Sequence, residues 1–214
     1  DKYRIARGRS KANFSFYFGG ANDNLDEIRA LQPGDCCGVK VFMGASTGNM
    51  LVDDPRTLEL IFAECPTLIA THCEDTPTIK ANEERFRQQY GEDVPFSAHP
   101  LIRSEEACYK STVLATTLAR SHGTRLHVLH ISTAKELELF EPGPLITNQG
   151  GKRITAEVCA HMLHFDDRAY ATKGALIKCN PAIKTAADRL ALLGGLRDGR
   201  LAVIATDHAP HTLA

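Results

Sequence analysis

Short runs rich in β-branched, aliphatic and aromatic residues alternate along the chain with stretches whose apolar positions recur at three- and four-residue spacing. The first pattern fits strands and the second fits helices with one buried face. Strands are predicted over 13–18, 39–43, 67–72, 125–131, 153–158 and 202–206, with a shorter β-like piece over 175–179. Helices are predicted over 55–65, where Pro55 suits a first turn, and over 104–121, which Ser104-Glu105-Glu106 opens and Gly123 stops. Two more are predicted over 133–140 and 186–197. Residues 76–101 read as a long irregular segment, large enough to be a functional loop. Strands alternating with helices imply an α/β fold with a parallel sheet and helices outside it.

Composition narrows the class. The 214 residues are 43% hydrophobic and 24% charged, as expected of one globular domain or a large part of one. A formal net charge of -1 gives no electrostatic basis for a nucleic acid or an anionic membrane as partner. No apolar run approaches the roughly 20 residues that span a bilayer. The seven cysteines are irregularly spaced and form no CxxC pair, which points to free thiols in a reducing, cytoplasmic setting. The opening Asp1-Lys2-Tyr3-Arg4 reads as a cut into a longer chain.

The strand ends carry the chemistry. Four runs finish on a metal-competent or titratable side chain: Lys40, His72, His130 and Asp207. In a parallel α/β barrel the C-terminal strand ends converge on one mouth, where active sites form. Taken singly, each residue has a plainer role. A strand-end histidine is usually a hydrogen-bonded structural residue, an aspartate before histidine usually a cap or turn, and a buried lysine can extend its amine to water. Those roles do not predict four such residues on four strand ends. The two-residue period of a strand also places His127 opposite His130, so that if His130 points into the barrel His127 faces the helices. Lys40, set among Val39, Val41, Phe42 and Met43, would lose much of its charge to desolvation. A neutral amine of that kind can take up carbon dioxide as a carbamate, whose two oxygens can bridge two divalent metals.

The runs Gly38-Val39-Lys40-Val41-Phe42-Met43-Gly44, Thr71-His72-Cys73-Glu74, His127-Val128-Leu129-His130-Ile131-Ser132-Thr133, Lys178-Cys179-Asn180-Pro181 and Thr206-Asp207-His208-Ala209-Pro210-His211 resemble, in this order, the dihydroorotases of the amidohydrolase superfamily. The resemblance implies a TIM-like (β/α)8 barrel with two Zn2+ ions bridged by carboxylated Lys40. It makes His72 and His130 ligands of one metal, and Asp207 a ligand of the other and the general base. Asn180 and His211 would hold the substrate, His211 facing its carboxylate. Glu157 and His161 lie in a family stretch that usually shows paired histidines, where Met162 stands here, and read as support rather than ligands.

The family's first barrel strand ends in His-x-His, and no histidine precedes His72 in this chain. The expectation is a partial barrel domain over 1–214, roughly strands three to eight, without the first two strands or the C-terminal extension. The implied reaction is reversible hydrolysis of dihydroorotate to N-carbamoyl-aspartate in pyrimidine biosynthesis, with a small-molecule substrate and a possible homo-oligomer. The alternatives are a dihydropyrimidinase, hydantoinase or allantoinase, and a non-catalytic dihydroorotase-like partner of a transcarbamoylase.

Overall fold

A computed structural model describes residues 1–44, 50–147 and 150–209. Helix α1 (Lys2–Arg9) leads into strand β1 (Tyr17–Gly19), then α2 (Leu25–Arg29), β2 (Gly38–Phe42), α3 (Pro55–Glu64) and β3 (Ile69–His72). Helices α4 (Thr76–Tyr90), α5 (His99–Ile102) and α6 (Glu105–His122) precede β4 (Leu126–Val128). Two short strands, β5 (Ile146–Thr147) and β6 (Gly150–Gly151), pair antiparallel with each other. The chain then runs through β7 (Ile154–Cys159), α7 (Ala160–His164), α8 (Tyr170–Lys173), α9 (Ala186–Arg197) and β8 (Val203–Ala205). The main sheet has six strands in the order β1-β2-β3-β4-β7-β8, all parallel. Each strand lies beside its predecessor, the wall of a partial TIM-like barrel.

The strand faces divide as a barrel wall requires. Val39 and Val41 of β2, Ile69 of β3, Leu126 and Val128 of β4, and Ala156 and Val158 of β7 are fully buried. They share one core cluster with Leu58, Ile61 and Phe62 of α3 and with Ala115 and Ala119 of α6. The opposite face carries Lys40, Ala70, His127 and Thr155, which the register sets side by side across four strands. Phe42 and His72 sit one step nearer the C-terminal end of the same face. The small Ala70 leaves room beside the Lys40 side chain.

Helix ends follow from sequence chemistry. The Asp54 carboxylate accepts from the Arg56 and Thr57 amides ahead of α3, with Pro55 in its first turn. Ser104 caps α6, and Gly123 ends it at φ 65°. Thr185 and Asp188 form a reciprocal capping box on α9.

Three expectations need correction. Residues 76–101 are largely helical, comprising α4, a 3-10 turn at Phe96–Ala98 and α5. Asp75 accepts from the Thr78 amide at 3.0 Å to start α4, and the helix buries only Ile79 and Phe86, too sparse a pair to display a period. The β-like piece over 175–179 is instead a 3-10 helix, Gly174–Ile177, and of its residues only Ile177 is buried. The helix expected over 133–140 is also 3-10, Lys135–Leu139. It buries Leu137 and Glu136, and the extended Phe140 that ends it is buried as well. All seven cysteines are free, as their spacing implied. No helix among the described residues is long and apolar enough to cross a membrane.

Candidate metal and substrate site

The C-terminal strand ends enclose a cavity of about 520 Å3, lined by Lys40, His72, His130, Asp207 and Asn180 together with Tyr17, Phe42, Leu129 and Glu157. Five of the six site residues expected from the sequence therefore meet at one place. The sixth, His211, lies outside the described residues.

Local backbone geometry delivers two of these groups. Strand β4 stops at Val128, shorter than expected. The Leu129 amide bonds back to Thr71 O on β3 at 3.0 Å, while the Ile131 amide bonds to Glu157 O on β7 at 2.8 Å. His130, between them, takes φ 42°, and Asp207, just beyond β8, takes φ 46°. They are the two non-glycine residues with positive φ among those described. This conformation is disfavoured for L-residues and tends to persist where the surroundings enforce it, often at functional sites.

The turn at His130 overturns the two-residue alternation expected there. His127 does not face the helices: on the inner face, its Nδ1 bonds Thr155 Oγ1 at 2.8 Å and its Nε2 bonds Glu157 Oε2 at 3.1 Å. His127 follows strand geometry, whereas His130 reaches the same interior through a left-handed residue. Glu157, read as support, is half of this buried pair and also lines the cavity. His161 lines a neighbouring cavity that shares Asp207.

His72 Nδ1 and His130 Nε2 stand 3.0 Å apart in the buried wall of the site. Two imidazole nitrogens on one tetrahedral zinc stand roughly 3.3 Å apart, so the pair is spaced to share a cation with little adjustment. Burial, the largest cause, and the nearby Lys40 charge push the His130 pKa well below its ordinary value. The ring is thereby kept neutral, the form that ligates. The donor set of two imidazoles, a lysine and a carboxylate suits zinc once the lysine is carboxylated. Among the described residues no group of three or more His, Cys, Asp or Glu side chains is close enough to hold an ion unaided.

Lys40 is electrostatically unusual. Burial lowers its pKa to about 8, with the negative charges of Asp207, Cys73 and Glu157 partly opposing the shift. Its Nζ lies 4.4 Å from the centre of the Phe42 ring. At pH 8 about half of such a lysine is the free amine, against under about 1% of an ordinary one. Amine-selective labelling followed by mass spectrometry should therefore show Lys40 reacting with an inflection near pH 8; an inflection above pH 10 would remove the case for a reactive amine.

Two functional partners escaped the sequence analysis. Glu74 is fully buried and bonds His72 Nε2 at 2.8 Å and Arg103 Nη1 at 2.6 Å. Burial alone would raise its pKa, but the hydrogen bond from His72 and the positive charges around it, those of Arg103 and Lys184 included, outweigh that and hold it below its ordinary value. The available signal was the His-Cys-Glu spacing, which puts His72 and Glu74 on one side of an extended segment. Arg103 carried no sequence signal of its own.

No family model matches the chain. It is 30% identical over 213 residues to an allantoinase of Bacillus velezensis, covering 98% of this chain and 46% of that protein. It is 39% identical over 147 residues to a dihydroorotase of Anoxybacillus flavithermus, covering 67% of this chain and 32% of that protein. Among solved structures, the L-hydantoinase (dihydropyrimidinase) from Arthrobacter aurescens matches with a TM-score of 0.85 at 26% identity, covering 97% of this chain and 46% of that one. By sequence and by fold the chain is related to the cyclic amidohydrolases. Of these two relatives the dihydroorotase is the more identical and the allantoinase the more extensively matched, and a dihydroorotase of Methanosarcina acetivorans also matches over 98% of this chain at 29% identity. The chain spans less than half the length of each of these relatives.

Proposed function

We propose that the chain forms the greater part of the active-site wall of a zinc-dependent hydrolase of cyclic amides, with dihydroorotate as substrate and N-carbamoyl-aspartate as product. The observation that carries this reading is the meeting of Lys40, His72, His130, Asp207 and Asn180 in one cavity at the C-terminal ends of parallel strands. One zinc ion would be held by His72 and His130 with carboxylated Lys40, and a second by Lys40 and Asp207 with the His-x-His ligands that the family draws from its first strand; together they would supply an acidified water and a polarised scissile carbonyl. Asp207, exposed at the rim, takes a proton from the attacking water as the new carbon–oxygen bond forms. It returns that proton to the ring nitrogen as the carbon–nitrogen bond breaks. The Asn180 amide, on the same wall, orients the ring by hydrogen bonding, and the resemblance assigns His211 to the substrate carboxylate.

A second reading, an allantoinase-type substrate, draws on the relative of that name, 30% identical over 98% of this chain, a span that a dihydroorotase relative at 29% identity also covers. Parallel assays on dihydroorotate, allantoin, hydantoin and dihydrouracil separate the two. Dihydroorotate should exceed the others in kcat/KM by at least about ten-fold, because a site with a partner for a carboxylate loses that contact with substrates lacking one. Preferential turnover of allantoin would establish the second reading.

A further inference from the structure

Glu74 has no exposed side-chain area, and a carboxylate persists in such surroundings only with compensating partners. Its Oε2 has two, Arg103 Nη1 and His72 Nε2. The Arg103 guanidinium at 2.6 Å keeps the carboxyl ionised, and an ionised carboxylate only accepts, so the hydrogen between Oε2 and His72 sits on the ring nitrogen. His72 is thereby held as the Nε2–H tautomer, with its Nδ1 lone pair facing His130 Nε2 at 3.0 Å. The opposite tautomer would turn a nitrogen lone pair on a carboxylate oxygen 2.8 Å away and put a hydrogen where a shared cation belongs.

The geometry points to Glu74 as the positioning residue that sets the tautomer of His72 for cation capture, with Arg103 clamping the carboxylate from the end of α5. This inference rests on His72 and His130 being a ligand pair. Carboxylates that orient a metal-binding histidine through its remote nitrogen commonly influence affinity in this way. A purely structural ion pair, tying the end of β3 to α5, would instead change stability and leave the tautomer alone.

The test uses the full chain, metal-free and labelled with 15N-histidine, as wild type, Glu74→Gln, Glu74→Ala and His72→Ala. Ring 15N shifts report the tautomer, and competition with a chelating dye reports zinc affinity. Wild-type His72 should be the Nε2–H form. Glu74→Ala should admit the Nδ1–H form and weaken zinc binding about 10- to 100-fold, with Glu74→Gln showing a smaller change in the same direction. If the alanine variant does not fold, the isosteric glutamine variant decides. Folded variants that keep a pure Nε2–H tautomer and bind zinc within about two-fold of wild type would overturn the inference. Unchanged zinc affinity in His72→Ala would overturn the ligand pair itself, while the metal-free spectra would still show whether Glu74 sets the tautomer.

Discussion

Asp207→Ala is expected to bring turnover of the cyclic amide below detection. The substitution removes a carboxylate from the cavity wall and with it the proposed proton carrier. Loss of general acid–base catalysis alone typically costs about 10²- to 10⁴-fold, and loss of a ligand adds to that. Because Asp207 holds φ 46°, alanine adds backbone strain unrelated to chemistry, whereas asparagine tolerates this conformation. Asp207→Asn is therefore the decisive companion, expected to melt as the wild type does and to be equally inactive. Wild-type turnover by a folded Asp207→Asn protein would refute the assignment.

Gly44→Ala is expected to have the largest effect on stability. Gly44 follows β2, and a Cβ there would stand 1.8 Å from the carbonyl oxygen and 2.8 Å from the carbonyl carbon of Glu74. Both are backbone atoms, so no side-chain rotation relieves the clash, and the segments after β2 and β3 must part. Overpacking of this kind costs on the order of 3 kcal/mol. The parting segments carry Lys40 on one side and His72 with Glu74 on the other, so zinc binding should weaken together with stability. Chemical denaturation compares the midpoints; a variant with the wild-type midpoint would show that the close approach is not required.

The strands were legible because a buried parallel sheet demands continuous apolar runs, and Val39, Val41, Ile69, Leu126 and Val128 supply them. The long helices were legible through their caps, Asp54-Pro55, Ser104 and Thr185. Helix α4 was hidden because it buries only two residues and packs beside α5 and α6, with most of its surface meeting solvent. The site was legible as a set of strand-end residues but not as an arrangement. A strict two-residue alternation sends His127 outward, and only the left-handed backbone at His130 lets both histidines face inward. Glu74 could have been read from its spacing to His72, whereas Arg103 was missed because it meets Glu74 across 29 positions of chain and no local pattern announces that.

The same left-handed backbone sets folding against function at His130 and Asp207. Glycine at either position would remove a conformational cost of about 1 kcal/mol, and asparagine would bear it easily. A library of variants ranked by heat tolerance alone would therefore enrich replacements at these two positions and discard a proposed ligand each time. Selecting for thermal robustness in this chain would erode its chemistry first at the two residues that the backbone finds hardest to hold.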